Sequence, residues 1–309
     1  MAVQEDADVM AARSLMPATG VCIRAMRPYQ WTKNLLLFAA LVFAGELGNP
    51  ARIGISALAF AAFCLAASAT YIFNDILDIE SDREHPKKRH RPLASGALSV
   101  PAALLMVVAL FGVSLALAAY IRLPFLAALI AYVALTIAYS LQLKHLMIID
   151  VMAIALGFVV RAVAGALALD VPFSNWLVVC TLFLATFLGL SKRRQEIMLL
   201  EGGAQSHRQV LQHYTVNYLD QLILIMAGGT LLTYTIYTCS PEVIERLGTD
   251  KLYVTLPFVV YGLFRYLHLI HHKTGGGDPS STLLQDRPLG VTVLLWAAAC
   301  AALIYLPSL

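Results

Sequence analysis

Asn74, Asp75, Asp78 and Asp82 fall at i, i+1, i+4 and i+8 of the segment NDILDIESD, directly after an apolar run that carries no charge. Residues four apart share a helix face, so Asn74, Asp78 and Asp82 form one stripe and Asp75 flanks it. Like charges at that spacing repel one another. Such a cluster becomes favourable when a hard cation sits on it, and Mg2+ suits it, taking a few protein oxygens and completing its shell with water and substrate phosphate. The alternative is a solvated acidic helix end, the reading given to Glu80 and Glu84, which lie off the stripe.

Immediately downstream, HPKKRHRPLASG supplies Lys87, Lys88, Arg89, His90 and Arg91. Alone, a basic run anchors a protein to lipid headgroups. Following an oxygen-rich cation site, it suits a phosphorylated ligand whose remaining charge Lys or Arg neutralises. Other polar groups stand where apolar runs begin or end. RPYQWTKN brings Arg27, Gln30, Lys33 and Asn34; YSLQLK brings Tyr139 and Lys144; Asp150 follows soon after; LSKRRQE brings Lys192, Arg193, Arg194 and Glu196. Arg161 comes eleven residues after Asp150, roughly 16 Å farther along a helix. An arginine that deep faces a cavity or a partner, so a structural role and a ligand role are both open.

The elements that must position these groups follow from composition. Of 309 residues, 59% are hydrophobic and only 13% charged, with a mean hydropathy of +0.73, and soluble domains are nearer a quarter charged. Nine windows satisfy the roughly 20 apolar residues a helical crossing needs: 31–47, 53–73, 98–121, 123–143, 146–169, 171–190, 221–239, 252–271 and 289–308. Their continuity excludes barrel strands, which alternate apolar and polar residues. The fold expected is an all-α membrane bundle of nine helices, residues 24–309, preceded by a disordered cytoplasmic arm, residues 1–23, which lacks the basic start and apolar core of a secretory signal.

With the N-terminus inside and nine crossings, only Arg52, Arg122, Arg246 and Lys251 of the 22 lysines and arginines fall outside, with Arg161 inside a span. The positive-inside rule therefore selects N-in, C-out. The polar clusters then face the cytoplasm, where any chemistry takes place. Five scattered cysteines argue against a disulfide framework or a zinc site. No basic tract interleaved with aromatics suggests nucleic acid. No dinucleotide, P-loop, metalloprotease or nucleophile-elbow motif is present.

The pattern NDxxDxxxD after the second span, with the following HPxxxxRPLxSG, resembles the UbiA superfamily of intramembrane prenyltransferases. The resemblance implies nine helices in a ring around a central cavity, cytoplasmic cap loops, and Mg2+ held by Asn74, Asp75, Asp78 and Asp82. Aromatic prenyltransferases of that family carry a second aspartate-rich motif between the sixth and seventh spans. This chain has SKRRQE there, so the prenyl diphosphate donor does not carry over directly.

RPYQWTKN, YSLQLK, IIDVMAIALGFVVRAVAG and LSKRRQE look like a branch of the family whose donor is 5-phosphoribosyl diphosphate and whose acceptor is a polyprenyl phosphate. That likeness implies a plasma-membrane phosphoribosyl transfer feeding cell-envelope arabinan synthesis. On this reading Asp78 and Asp82 also stabilise positive charge at the sugar's anomeric carbon. The substrates meet Lys33, Asn34, Lys87, Arg91, Tyr139, Lys144, Asp150, Arg161, Lys192, Arg193 and Glu196. Membrane lipids are partners, nucleic acid is not, and a homo-oligomer, taken as a trimer, is expected. The rival readings are a prenyltransferase using a prenyl diphosphate, and a transporter whose path runs by Asp150 and Arg161.

Overall fold

A chain this apolar must satisfy its own backbone, and in hydrocarbon the helix does so within one segment. The computed structural model describes residues 18–84, 88–201, 209–272, 282 and 285–306, and among them there are helices and no strand. The α-helices are α1 (Ala18–Met26), α2 (Phe38–Phe43), α3 (Pro50–Leu77), α4 (Ile79–Glu84), α5 (Val100–Ile121), α6 (Leu123–Leu141), α7 (Ile149–Leu169), α8 (Asn175–Glu201), α9 (Val216–Cys239), α10 (Pro241–Leu247), α11 (Leu256–His272) and α12 (Arg287–Tyr305). Residues 18–23, placed in the N-terminal arm by the sequence, belong to α1.

Eight of the described helices are long and apolar enough to cross a membrane: α3, α5, α6, α7, α8, α9, α11 with the turn preceding it, and α12. The window 31–47 differs from expectation. It is a 3-10 helix, Pro28–Leu37, running straight into the short α2. Polar Gln30, Thr32, Lys33 and Asn34 interrupt its apolar run, and Asn34 is buried with its Nδ2 donating to Cys64 Sγ at 3.3 Å.

The chain forms two compact units. The first comprises Met1–Leu35 and Ala57–Val133, the second Leu36–Ser56 and Ala134–Leu309. Without a hydrophobic drive between helices, membrane bundles rely on small residues that let backbones approach. In the first unit, α3 buries Ala59, Ala62, Ala66 and Ala69 at helical spacing. Ser114 of α5 donates to the Ala62 carbonyl at 2.7 Å. Phe63 packs its ring on Phe125 and Tyr132, centroids 5.7 and 5.2 Å away. Trp31 Nε1 donates to Ser68 Oγ at 3.1 Å, and that hydroxyl donates to the Met26 carbonyl at 2.9 Å, which sets the start of the 3-10 helix on α3.

In the second unit the close approaches occur at glycines of α7, α8 and α9. The Leu37 carbonyl oxygen lies where a Cβ on Gly165 would stand. A Cβ on Gly189 would meet Val151, and one on Gly229 the Phe183 ring, each at 2.7 Å. The side chain of Arg194 joins three helices: Nε donates to Asp220 of α9 at 2.5 Å, and Nη1 to the Ile270 carbonyl in the last turn of α11 at 2.8 Å. A cation on a helix C-terminus satisfies a carbonyl that has no partner within the helix. Asp286 caps α12, accepting from the Leu289 amide at 3.0 Å while paired with Arg265.

Candidate active site

Two polar clusters stand out, one in each unit. In the first unit, α3 runs to Leu77 and α4 resumes at Ile79, so the acidic stripe keeps its helical spacing across the joint. Asn74 Nδ2 donates to Asp78 Oδ2 at 2.8 Å. Asp75, 3% exposed, accepts from Arg27 and, at 3.1 Å, from Arg91 Nη1. The same Arg91 nitrogen donates to Asp82 Oδ2 at 2.6 Å. Arg27 adopts a positive φ of 53° and lays its guanidinium over the Tyr71 ring, 5.4 Å from the centroid. Gly96, at φ 76°, supplies the left-handed turn that ends the segment bearing Arg91.

Asp82 is 1% exposed, and its Oδ1 accepts no hydrogen bond, with Lys88 Nζ standing 3.9 Å away. A buried carboxylate oxygen without a donor is costly, and an oxygen-seeking cation removes that cost. The donor chemistry of this oxygen suits a hard cation such as Mg2+. Among the described residues no three His, Cys, Asp or Glu side chains already form a metal centre. Guanidinium groups neutralise Asp75 and Asp82 instead. Lys87 lies outside the described residues.

In the second unit the centre is Arg193 on α8, 1% exposed. Its Nε donates to Asp150 Oδ2 at 2.7 Å, Nη1 to Glu196 Oε2 at 2.5 Å and Nη2 to Tyr139 OH at 3.4 Å. Asp150 is fully buried at the start of α7, and its other oxygen accepts from Tyr214 OH at 3.0 Å. Tyr214 in turn accepts from the Ile148 amide at 2.6 Å. Burial pushes the Tyr214 phenol up to about 12, with the Asp150 carboxylate adding to the shift against the opposing Ile148 bond. The phenol stays protonated and donates across the physiological range.

The sequence candidates sort accordingly. In the first unit Asp75 and Asp82 come together on Arg91, while Asn74 bonds Asp78. Tyr139, Asp150, Arg193 and Glu196 come together in the second. Arg193, read as a phosphate ligand, is enclosed by two carboxylates and a phenol. Lys144 sits in the turn Leu143–His145 before Ile148, and Lys192 is half-buried beside Arg193. Arg161 donates to the Gly157 carbonyl at 2.9 Å and faces the Phe158 ring. Asn34 donates to Cys64 Sγ, and Lys33 is half-buried in the 3-10 helix. Tyr214 escaped sequence reading, because LQHY has no local signal and its partners lie 64 and 66 residues away.

Among the described residues, eight membrane-length helices with buried ion-paired clusters near helix ends define a multi-pass integral membrane protein. The chain belongs to the UbiA prenyltransferase family, whose model matches residues 35–285. It is 34% identical to the decaprenyl-phosphate phosphoribosyltransferase of Corynebacterium glutamicum, over 92% of this chain and 86% of that protein. It is 32% identical to the enzyme of the same name from Mycolicibacterium smegmatis, over 92% of each. In fold it matches a UbiA homolog from Archaeoglobus fulgidus, solved bound to GPP and Mg2+, with a TM-score of 0.71, 21% identity, and coverage of 92% of this chain and 99% of that one.

Proposed function

We propose that the chain transfers 5-phosphoribose from 5-phosphoribosyl 1-diphosphate to a polyprenyl phosphate, taken as decaprenyl phosphate, and releases diphosphate. The observation that carries this reading is a likeness of about a third identity to phosphoribosyltransferases of that name, sustained over nearly the whole chain. The bond from the anomeric carbon to the diphosphate oxygen breaks with its electron pair leaving on diphosphate, and a bond forms to a lipid phosphate oxygen. That acceptor is already an anion, so positioning and electrostatics suffice without a general base.

In this reading Asn74, Asp75, Asp78 and Asp82 would hold Mg2+, which would supply charge stabilisation for diphosphate. The Asp78 and Asp82 carboxylates favour positive character at the anomeric carbon. Lys88, Arg91, Lys144 and Lys192 supply positive charge for phosphate groups. Arg193 orients Asp150 and Glu196 rather than meeting phosphate, since its donors are directed at those groups. The long polyprenyl tail remains in lipid, gaining about 0.8 kcal/mol per buried CH2, so the soluble donor must come to the headgroup plane.

The reading includes nine crossings, N-in and C-out in a cytoplasmic membrane, with the clusters facing the cytoplasm, and the basic-residue asymmetry supports it. The ninth crossing is residues 28–43. Ten 3-10 residues at about 2.0 Å and six α residues at about 1.5 Å reach nearly the 30 Å of the hydrocarbon core. Membranes bearing the chain, given labelled 5-phosphoribosyl diphosphate and decaprenyl phosphate, are expected to yield labelled lipid. Absence of that lipid, with a prenylated product from geranyl diphosphate and an aromatic acceptor, would replace this reading with the prenyl one.

A further inference from the structure

Ile148 has φ 68° and ψ −47°, a region that a β-branched residue rarely enters. The Ile149 amide bonds back to the Met147 carbonyl at 2.8 Å, which makes Ile148 the centre of a tight three-residue γ-turn. The conformation is strained, and such strain persists only where surroundings impose it. Ile148 is 39% exposed, so it is not a core position whose packing alone would hold this conformation. The Ile148 amide instead donates to Tyr214 OH at 2.6 Å.

The same hydroxyl donates onward to Asp150 Oδ1, whose second oxygen holds Arg193. One phenol thus uses its acceptor on the turn and its donor on the carboxylate that the turn delivers. The segment Leu143–His145, which carries Lys144, directly precedes the turn. All of these residues lie in the second unit.

We infer that Tyr214 is a positioning residue: its hydroxyl latches the strained Ile148 turn and thereby sets Asp150, Arg193 and Lys144 for the phosphorylated substrates. The inference rests on the phosphoribosyl-transfer reading for its kinetic consequence, but the latch itself is testable without turnover. Tyr214→Phe removes one oxygen atom and leaves both the Ile148 amide and Asp150 Oδ1 without that partner. Ile148→Gly removes the conformational strain, since glycine enters positive φ freely.

The test is a cycle of wild type, Tyr214→Phe, Ile148→Gly and the double variant, each followed by amide hydrogen exchange and by transfer kinetics. In Tyr214→Phe, exchange of residues 143–150 is expected to rise at least tenfold while that of α9 stays as in wild type. Transfer is expected to fall about tenfold, the scale of one lost buried hydrogen bond, with kcat falling alongside a raised KM for a phosphorylated substrate. The double variant is expected to regain most of the exchange protection and several-fold of the lost rate.

Unchanged exchange at 143–150 in Tyr214→Phe overturns the latch. Raised exchange with no regain in the double variant overturns the strain argument and assigns the phenol a direct role. If wild type transfers no phosphoribose, the proposed function fails, and the exchange arm still decides the latch.

Discussion

The two polar clusters are built on opposite plans. In the first unit, acids gather on consecutive helical turns and Arg27 and Arg91 come in to neutralise them, yet Asp82 Oδ1 remains without a donor. In the second, a single buried arginine is the hub, and Asp150, Glu196 and Tyr139 answer its nitrogens while Tyr214 holds the far oxygen of Asp150. The first arrangement has capacity left for a cation. The second matches its buried arginine with carboxylates of its own, a plan suited to holding geometry.

The difference predicts distinct lesions. The largest effect is expected from removing divalent metal: strong chelation abolishes transfer, restored by added Mg2+, and full turnover in the presence of chelator would erase the contrast. Next, Asp82→Asn keeps shape but removes charge, and should lower kcat on the order of 10²–10³-fold, with only a modest fall in thermal midpoint because Arg91 keeps Asp75 as a partner. Arg193→Leu should do the reverse in character. It strands buried Asp150, at about 3–5 kcal/mol, read as a large fall in thermal midpoint together with lost activity. Equal stability losses for these two variants would show that the clusters are not different in kind.

Gly165→Ala touches neither cluster but drives a methyl into the Leu37 backbone, and should cost about 1–3 kcal/mol with turnover per folded molecule retained. The smallest effect concerns alkali. The Tyr214 phenol is raised in the folded state, so its stabilisation is complete below the unfolded value of about 10 and fades as pH climbs toward about 12. Tyr214→Phe should flatten that part of a stability–pH curve.

Much of the first cluster was legible because its acids are neighbours in sequence, and the spacing of Asn74, Asp78 and Asp82 survives the joint between α3 and α4. Arg91 was likewise signalled by its closeness. The second cluster was legible only in its members. Tyr139, Asp150, Arg193 and Glu196 were singled out as polar groups at apolar ends, but their mutual pairing depends on long-range packing, so Arg193 looked like a phosphate ligand rather than a hub. Tyr214 had no signal at all. The apolar runs announced eight helices by continuity, whereas residues 28–37 took the 3-10 form because polar side chains there find partners on α3 that hydropathy does not register.

Asp75 sits in the last turn of α3 and is a buried charge that apolar surroundings resist. Its two guanidinium partners come from the same chain, one 48 residues earlier and one 16 residues later. During synthesis the upstream arginine has already emerged when the aspartate reaches the bilayer. The end of α3 can therefore pack with its charge already matched from within the chain.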